Sequence, residues 1–176
     1  MKYLNKVYKL TASEDFIVYR AINGIQPEDV THLTYGKSID AVFGIGTYFA
    51  FSEDDAEEYV DPTKEFSLII KYKITAARVL NLFSGKDIDG LQKPSEGIDI
   101  YDLDLSKKLG DGFDGDQLVE RAAKHYDVIA LYEHDEIVDG GEQLIVPPKA
   151  NITITPLSYT KITKGKKKKN LVWPDL

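Results

Sequence analysis

The chain has 176 residues, 43% of them hydrophobic and 29% charged, with a formal net charge of −7. This composition is that of an ordinary globular domain. No apolar run approaches the roughly 20 residues of a membrane-spanning helix, and the absence of cysteine excludes disulfides, thiol nucleophiles and cysteine zinc sites. Because the N-terminus also lacks an apolar signal-peptide stretch, the sequence favours a cytoplasmic protein without membrane partners.

The charge is unevenly distributed. Residues 161–176 carry six lysines and one aspartate, a net +5, which leaves −12 on residues 1–160. We therefore predict a single domain over 1–160 and a lysine-rich C-terminal tail over 161–176. Charge runs are usually solvated, so a disordered, solubilising tail is favoured over a nucleic-acid contact. Trp173 is a candidate for docking the end of the chain onto the body.

Strands dominate the predicted elements. The clearest is 66–74, where apolar and polar residues alternate as in a half-buried strand, and 16–22 is an apolar run interrupted only by Arg20. The glycine- and aspartate-rich stretch 84–115 predicts a long loop. Further strands are predicted at 47–51, 78–83, 126–132, 143–146 and 152–155.

Two or three helices complete the prediction. Pro27 opens a short one, with acids near its positive end. Ser52 is the predicted N-cap of a second helix, with Asp55 as its capping-box partner, and this helix is expected to end near Val60. The segment 117–125 is also helical in pattern. Because strands dominate and do not alternate regularly with helices, the predicted fold class is α+β.

Two polar side chains stand in otherwise apolar strands. Arg20 is costly to bury unpaired, so it binds either a ligand phosphate or a local acid such as Asp15. Tyr48 follows Gly44 and Gly46, and glycines let a ligand approach the backbone closely. Its ring either stacks on a flat cation such as nicotinamide or packs in the core beside other aromatic residues.

Glu142 and Gln143 open the apolar strand 143–146. A carboxylate and hydrogen bonds to a sugar hydroxyl stabilise the oxocarbenium-like sugar that forms when a glycosidic bond breaks. An acid beside the Gly140–Gly141 turn is equally common at a sheet edge. Weaker polar candidates are Gln26, Asp127, Glu133 and Asp139.

In this order and spacing, three blocks resemble the ADP-ribosyltransferase superfamily. Tyr19–Ala21 resembles the first-strand motif of the arginine class, whose arginine helps to hold NAD. The stretch from Gly44 to Ala50, with the helix that follows, resembles the tyrosine block of the polymerase-like class, whose tyrosines flank nicotinamide. Glu142 and Gln143, with the strand after them, resemble the closing glutamate block.

The resemblance implies two small packed β-sheets with flanking helices and an NAD cleft. It implies a mono-ADP-ribosyltransferase that cleaves NAD, used as a substrate without a metal, and passes ADP-ribose to a protein or to RNA or DNA. The small size suggests a toxin or a phage or defence effector, with a cognate antitoxin or inhibitor as a further partner. The implied catalytic residues are Arg20, Tyr48, Glu142 and Gln143. The implied NAD-binding residues are Tyr19, Arg20, Ala21, Gly46, Thr47, Tyr48, Ser52 and Tyr59.

The chain departs from the family pattern at three points. The Ser-Thr-Ser motif of the arginine class is missing, and the Arg20 position does not carry the histidine of the polymerase-like class. Counting back from Pro147, the catalytic position falls on Gln143, with Glu142 one residue early, so either a one-residue bulge presents Glu142 or Gln143 acts in a variant site. Two alternatives therefore remain open: an NAD glycohydrolase of the same fold, and a non-catalytic NAD-binding or inhibitor module.

Overall fold

A computed structural model describes residues 13–35, 44–81, 109, 117–131, 143–164 and 166–174. The strands of this part of the chain are β1 (Glu14–Asn23), β2 (Thr47–Ala50), β3 (Ser67–Ala76), β4 (Val79–Asn81), β5 (Val128–Leu131), β6 (Gln143–Val146), β7 (Ile152–Thr163) and β8 (Lys166–Val172). Its helices are α1 (Glu53–Glu57), α2 (Leu118–Ala122) and a 3-10 turn (Pro27–Asp29). None of these helices is long and apolar enough to cross a membrane.

The eight strands form one mixed sheet in the order β4-β5-β6-β2-β1-β3-β7-β8. Only the β4–β5 pair is parallel, and all other neighbours are antiparallel. The described part is thus mostly β rather than the α+β mixture expected, and its strands are hydrogen-bonded into one sheet rather than two. The pairing of β1 with β2 is limited to one residue pair, Tyr19 with Ala50. We call the strands on either side of this joint the short half (β4, β5, β6, β2) and the long half (β1, β3, β7, β8).

The sheet has two faces, which we name by what they carry. The arginine face bears Arg20 between Val18 and Ile22, and it holds the largest core cluster, to which both halves contribute. The helix face bears Tyr19 and is covered by the two helices. There α1 packs on Ala50 and Ile69 in one cluster, and α2 packs on the short half in another.

The two halves follow different sequence patterns because they are buried differently. In β6 every residue from Gln143 to Val146 is buried, since one face lies in the main core and the other lies under α2. A strand covered on both faces reads as a continuous apolar run. In β7, by contrast, the exposed positions alternate with half-buried ones along Ile152–Leu157, because its outer face lacks such cover.

The predicted strands have observed counterparts in β1 to β7, most of them with somewhat different bounds, and the largest differences are in one helix and one strand. The helix after Ser52 ends at Glu57 and continues only as turns to Tyr59. Strand β7 extends to Thr163 rather than to residue 155, because it pairs with the whole length of β3. Most of the predicted loop 84–115 lies outside the described residues.

The lysine-rich segment differs from the disordered tail we expected. Residues up to Thr163 belong to β7, and Lys166–Val172 form β8, paired antiparallel with β7. Beyond β8, Trp173 does dock on the body, where its ring lies 5.8 Å from that of Tyr159 and 5.5 Å from that of His32. Strand pairing satisfies the backbone of β8 although its side chains are charged, and a composition argument does not detect this.

Candidate functional site

Arg20 lies beside the joint between the two halves of the sheet, on the arginine face. Its Nη1 donates to the His32 carbonyl oxygen at 2.9 Å, and its Nη2 donates to the Thr34 hydroxyl. Its Cζ lies 6.0 Å from the centre of the Phe49 ring on β2. The expected acid Asp15 is not its partner, because that carboxylate bonds Lys73 and Thr75. Among the described residues, Arg20 is therefore held by backbone and hydroxyl oxygens and not by a countercharge.

Residues 32–34 bridge β1 to β2 where the two strands no longer pair. The Thr47 hydroxyl on β2 donates to the Thr34 carbonyl at 2.9 Å and accepts from the Thr34 N–H at 3.0 Å. Thr34 thus binds Arg20 of β1 through its side chain and Thr47 of β2 through its backbone. Since Thr47 is 1% exposed, its hydroxyl is fixed in this role.

A group of aromatic rings lies beside the arginine. His32 Nδ1 lies 3.1 Å from the Tyr72 hydroxyl oxygen, a hydrogen bond within the main core. The same imidazole packs edge-on against Tyr72 and tilted against Trp173. Tyr72 in turn packs edge-on against Phe49, the ring that lies nearest to the Arg20 guanidinium, so Arg20 lies at the edge of a connected group of aromatic rings.

This environment changes the protonation equilibria. Burial, and secondarily the positive charge of Arg20, hold the pKa of His32 below its ordinary 6.5. Burial raises the pKa of Tyr72, with the charge of Arg20 acting in the opposite direction. Burial lowers the pKa of Arg20 as well, but a guanidinium stays protonated at any physiological pH. The site therefore holds one fixed positive charge beside a neutral imidazole and a neutral phenol.

Tyr48 lies on the opposite face of the sheet from Arg20. Successive strand residues point to opposite faces, so Phe49 faces the arginine and Tyr48 faces α2. There Tyr48 packs half-buried on the helix-face cluster, and its hydroxyl donates to the Gly44 carbonyl at 2.8 Å. Gly46 is required by packing, because a Cβ there would lie 2.8 Å from Ile145 Cγ2.

Gln143 also lies on the helix face. Gln143 of β6 pairs with Ala50 of β2, and Ala50 pairs with Tyr19 of β1. These three paired residues form a line across the sheet at the joint. Gln143 is buried, with 8% of its surface exposed. Glu142 lies outside the described residues, as do Glu133 and Asp139.

The remaining implied NAD contacts have structural partners of their own. Ser52 caps α1 as predicted, its Oγ accepting from the Asp55 N–H at 3.0 Å. The Tyr59 carbonyl accepts from Asn23 Nδ2 at 3.1 Å, and its side chain is 43% exposed. Ala21 pairs with Ile69 of β3 on the helix face. The three blocks are thus brought onto neighbouring strands, but their side chains are divided between the two faces.

Asp127, a weaker candidate, has a structural role. Its carboxylate accepts from Arg78 Nε at 3.0 Å, from Arg78 Nη2 at 2.6 Å and from the Asn151 N–H at 3.1 Å. These bonds, the Arg78 ones above all, hold the pKa of Asp127 below its ordinary 3.8. Gln26, another weaker candidate, precedes the 3-10 turn without a side-chain cap bond.

Sequence reasoning missed His32, Thr34 and Tyr72 as residues around Arg20, and it expected Trp173 to dock on the body without identifying His32 as its contact. Only Tyr72 carried a signal, as a polar-tipped ring on the apolar face of an alternating strand. Among the described residues, no group of three histidine, aspartate or glutamate side chains could hold a metal ion. What the site offers is a planar cation beside aromatic rings, which suits an anionic or phosphate-bearing ligand.

Comparison with protein-family models, with curated proteins and with solved structures finds no match for this chain.

Proposed function

We propose that the chain is a mono-ADP-ribosyltransferase that uses NAD as its substrate and transfers ADP-ribose to a protein or nucleic-acid acceptor. The observation that carries the proposal is the adjacency of three sequence blocks. Residues 18–22, 47–50 and 143–146 are separated by up to about a hundred residues, yet they are the neighbouring strands β1, β2 and β6 at the centre of the sheet. Blocks that serve one ligand have to lie close together, and these three strands do, although Arg20 points to one face of the sheet and Tyr48 and Gln143 point to the other.

On this proposal, the half-sheets on either side of the Tyr19–Ala50 pair correspond to the two packed sheets of the ADP-ribosyltransferase fold. Two features support this: the single-pair joint, and the main core cluster that both halves share. A joint held by one pair is also where a ligand can enter a sheet with the least loss of backbone hydrogen bonds.

Arg20 would hold the NAD pyrophosphate. A guanidinium has five N–H donors, and two of them bond to described residues, at His32 and Thr34.

In the reaction the bond from ribose C1′ to the nicotinamide nitrogen breaks and nicotinamide leaves with the electron pair. The acceptor nucleophile then attacks C1′ and releases its proton to solvent.

The remaining role is stabilisation of the ribose as the bond to nicotinamide breaks, and Glu142 and Gln143 are the candidates for it. Gln143 lies on the helix face, opposite to Arg20, so its amide is directed away from the arginine. Glu142, the neighbouring carboxylate, is therefore the first residue to test for stabilising the oxocarbenium-like ribose. The proposal expects Glu142→Ala to abolish turnover and Gln143→Ala to reduce it less.

The test is incubation with NAD labelled on the adenylate, with and without cell lysate and total RNA. We expect label on a macromolecule, and we expect Arg20→Ala to lower nicotinamide release at least about a hundredfold, because phosphate anchoring acts on the transition state. Arg121→Ala on α2 is the matched control, since it removes an arginine that bonds to Gln117 and to the Leu109 carbonyl. Circular dichroism confirms that each variant is folded.

The other outcomes distinguish the alternatives. Nicotinamide release with only free ADP-ribose would make the protein a glycohydrolase. Binding of NAD without release would make it a non-catalytic module, and a Gln143→Glu variant that gained activity would identify the site as degenerate. Unchanged turnover in folded Arg20→Ala would remove Arg20 from the site.

A further inference from the structure

The outer strand β8 carries four successive exposed lysines, Lys166 to Lys169. Its pairing with β7 assigns three of them to faces of the sheet. Lys168 pairs with Lys161 and Lys166 pairs with Thr163, whereas Lys167 pairs with Ile162. Because paired residues share a face, Lys161, Lys166 and Lys168 lie on the arginine face and Lys167 lies on the helix face.

The lysines on the two faces differ in whether they have an acidic partner. On the helix face the acidic helix α1 lies against the hairpin: Glu57 forms an ion pair with Lys167, and Glu53 accepts from the Thr160 hydroxyl at 2.6 Å. On the arginine face, no carboxylate among the described residues lies within 4.0 Å of Lys161, Lys166 or Lys168. We call these three side chains the lysine strip.

The lysine strip is anchored to the body of the sheet. Lys161 Nζ lies 4.4 Å from the centre of the Phe66 ring, a cation–π contact that directs its ammonium along the face. Lys166 and Lys168 are two residues apart on one strand, which separates their attachment points by about 6.8 Å. The strip is therefore a compact group of three positive charges on one face of the β7–β8 hairpin, two along β8 and one beside them on β7.

We propose that the lysine strip binds the phosphate backbone of a nucleic acid. The partner has to be a polyanion, because the strip concentrates cations on a chain whose residues 1–160 carry −12. Adjacent ammonium groups on one face, two along β8 and one beside them on β7, match the closely spaced phosphates of a nucleic-acid backbone. Lysine binds phosphate as a point charge without reading sequence. This inference is independent of NAD chemistry.

Edge lysines also prevent edge-to-edge pairing of sheets. That role would be served by lysines on either face, and it requires no binding. It predicts that removing Lys166 and Lys168 promotes self-association and leaves nucleic-acid affinity unchanged. Size-exclusion chromatography with light scattering separates the two effects.

The experiment measures fluorescence anisotropy of labelled single-stranded RNA, single-stranded DNA and duplex DNA with the full chain, between about 50 and 200 mM salt. The test variant is Lys166→Glu with Lys168→Glu. The matched control is Lys124→Glu with Lys149→Glu, which makes the same charge change at exposed positions away from the hairpin. A Lys166→Gln and Lys168→Gln pair replaces the test variant if the charge reversal does not fold.

We expect the test variant to raise Kd about tenfold or more and to lower the slope of log affinity against log salt by about 2. The control should change both much less. Equal weakening in both variants, or no binding by the wild type, would overturn the proposal. Binding to vesicles of anionic lipid in the absence of nucleic-acid binding would also overturn it. The three probes show which nucleic acid is preferred.

Discussion

The short and long halves of the sheet differ in strand length and in how evenly their strands are buried. The short half has strands of three or four residues, but its central strand β6 is buried on both faces, between the main core and α2. In the long half, β1, β3 and β7 have ten to twelve residues. Strands β1 and β7 include exposed residues, whereas β3 is mostly buried and has none. Strand length and strand burial are thus decoupled, and the joint where the two halves meet is where Arg20 lies.

The largest expected difference between the halves is in core truncation. Ile129→Ala in β5 removes a fully buried side chain that packs under α2, and it should cost about 4 kcal/mol through lost burial and a cavity. The same change at Ile17 in β1, which is 42% exposed, should cost about 1 kcal/mol. Urea unfolding of both variants measures the contrast, and equal losses would mean that burial under α2 does not make Ile129 more important to stability than the partly exposed Ile17.

A smaller difference in stability is expected between two ion pairs, Arg78–Asp127 beside the short half and Lys73–Asp15 in the long half. Arg78→Ala leaves the Asp127 carboxylate, 2% exposed, with backbone N–H partners but without the guanidinium that compensates its charge. We expect a loss of about 2 kcal/mol, moderated because the Arg78 side chain is itself half exposed to water. This loss should shrink in strong acid, because protonation removes the charge that Arg78 compensates.

Lys73→Ala in the long half is the matched control. It breaks an ion pair with Asp15 in which both side chains are about half exposed. No measurable change in the urea midpoint is expected, since exposed pairs are screened by solvent. A loss as large as that of Arg78→Ala would contradict the distinction between the halves.

The smallest expected effect is the pH dependence at the joint. Because the folded-state pKa of His32 is lowered, the unfolded chain binds a proton more readily than the folded chain. Its contribution to stability is therefore fully present above about pH 6.5 and is lost as the pH falls below it. Acidification should also weaken the docking of Trp173, because a charged imidazole in the core is disfavoured.

His32→Asn should remove this pH dependence of stability and of Trp173 docking. Tryptophan fluorescence follows the docking directly, because Trp173 is the single tryptophan of the chain. The exposed His125→Asn is the matched control. A wild-type fluorescence signal that does not change between pH 7 and about pH 5 would show that the His32–Trp173 contact does not respond to protonation.

Sequence reasoning predicted the positions of most strands because their signals are local. The alternation in β3 and the apolar runs of β1 and β6 can be read without knowing the fold, and Ser52 with Asp55 identifies the cap of α1 within four residues. The lysine-rich strand β8 was missed because its stability comes from pairing with β7, and its own side chains give no strand signal.

The candidate site was predicted less completely. The residue types at Arg20 and Gln143 indicated functional positions, and the three blocks do lie on neighbouring strands. Which face each side chain occupies depends on strand register, and a change of one residue reverses it. The partners of Arg20 come from residues 32–34, whose path the sequence pattern does not specify.

By itself, the sequence determined the strand-rich character, the cap of α1, the charge asymmetry and the motif blocks, because each depends on residues close together in the chain. Only the tertiary structure decided that those blocks lie side by side, that Arg20 and Tyr48 are on opposite faces, and that the lysines form an edge strand. These features depend on long-range pairing and register. Their free energy comes from contacts between residues far apart in the chain, and no local pattern encodes them.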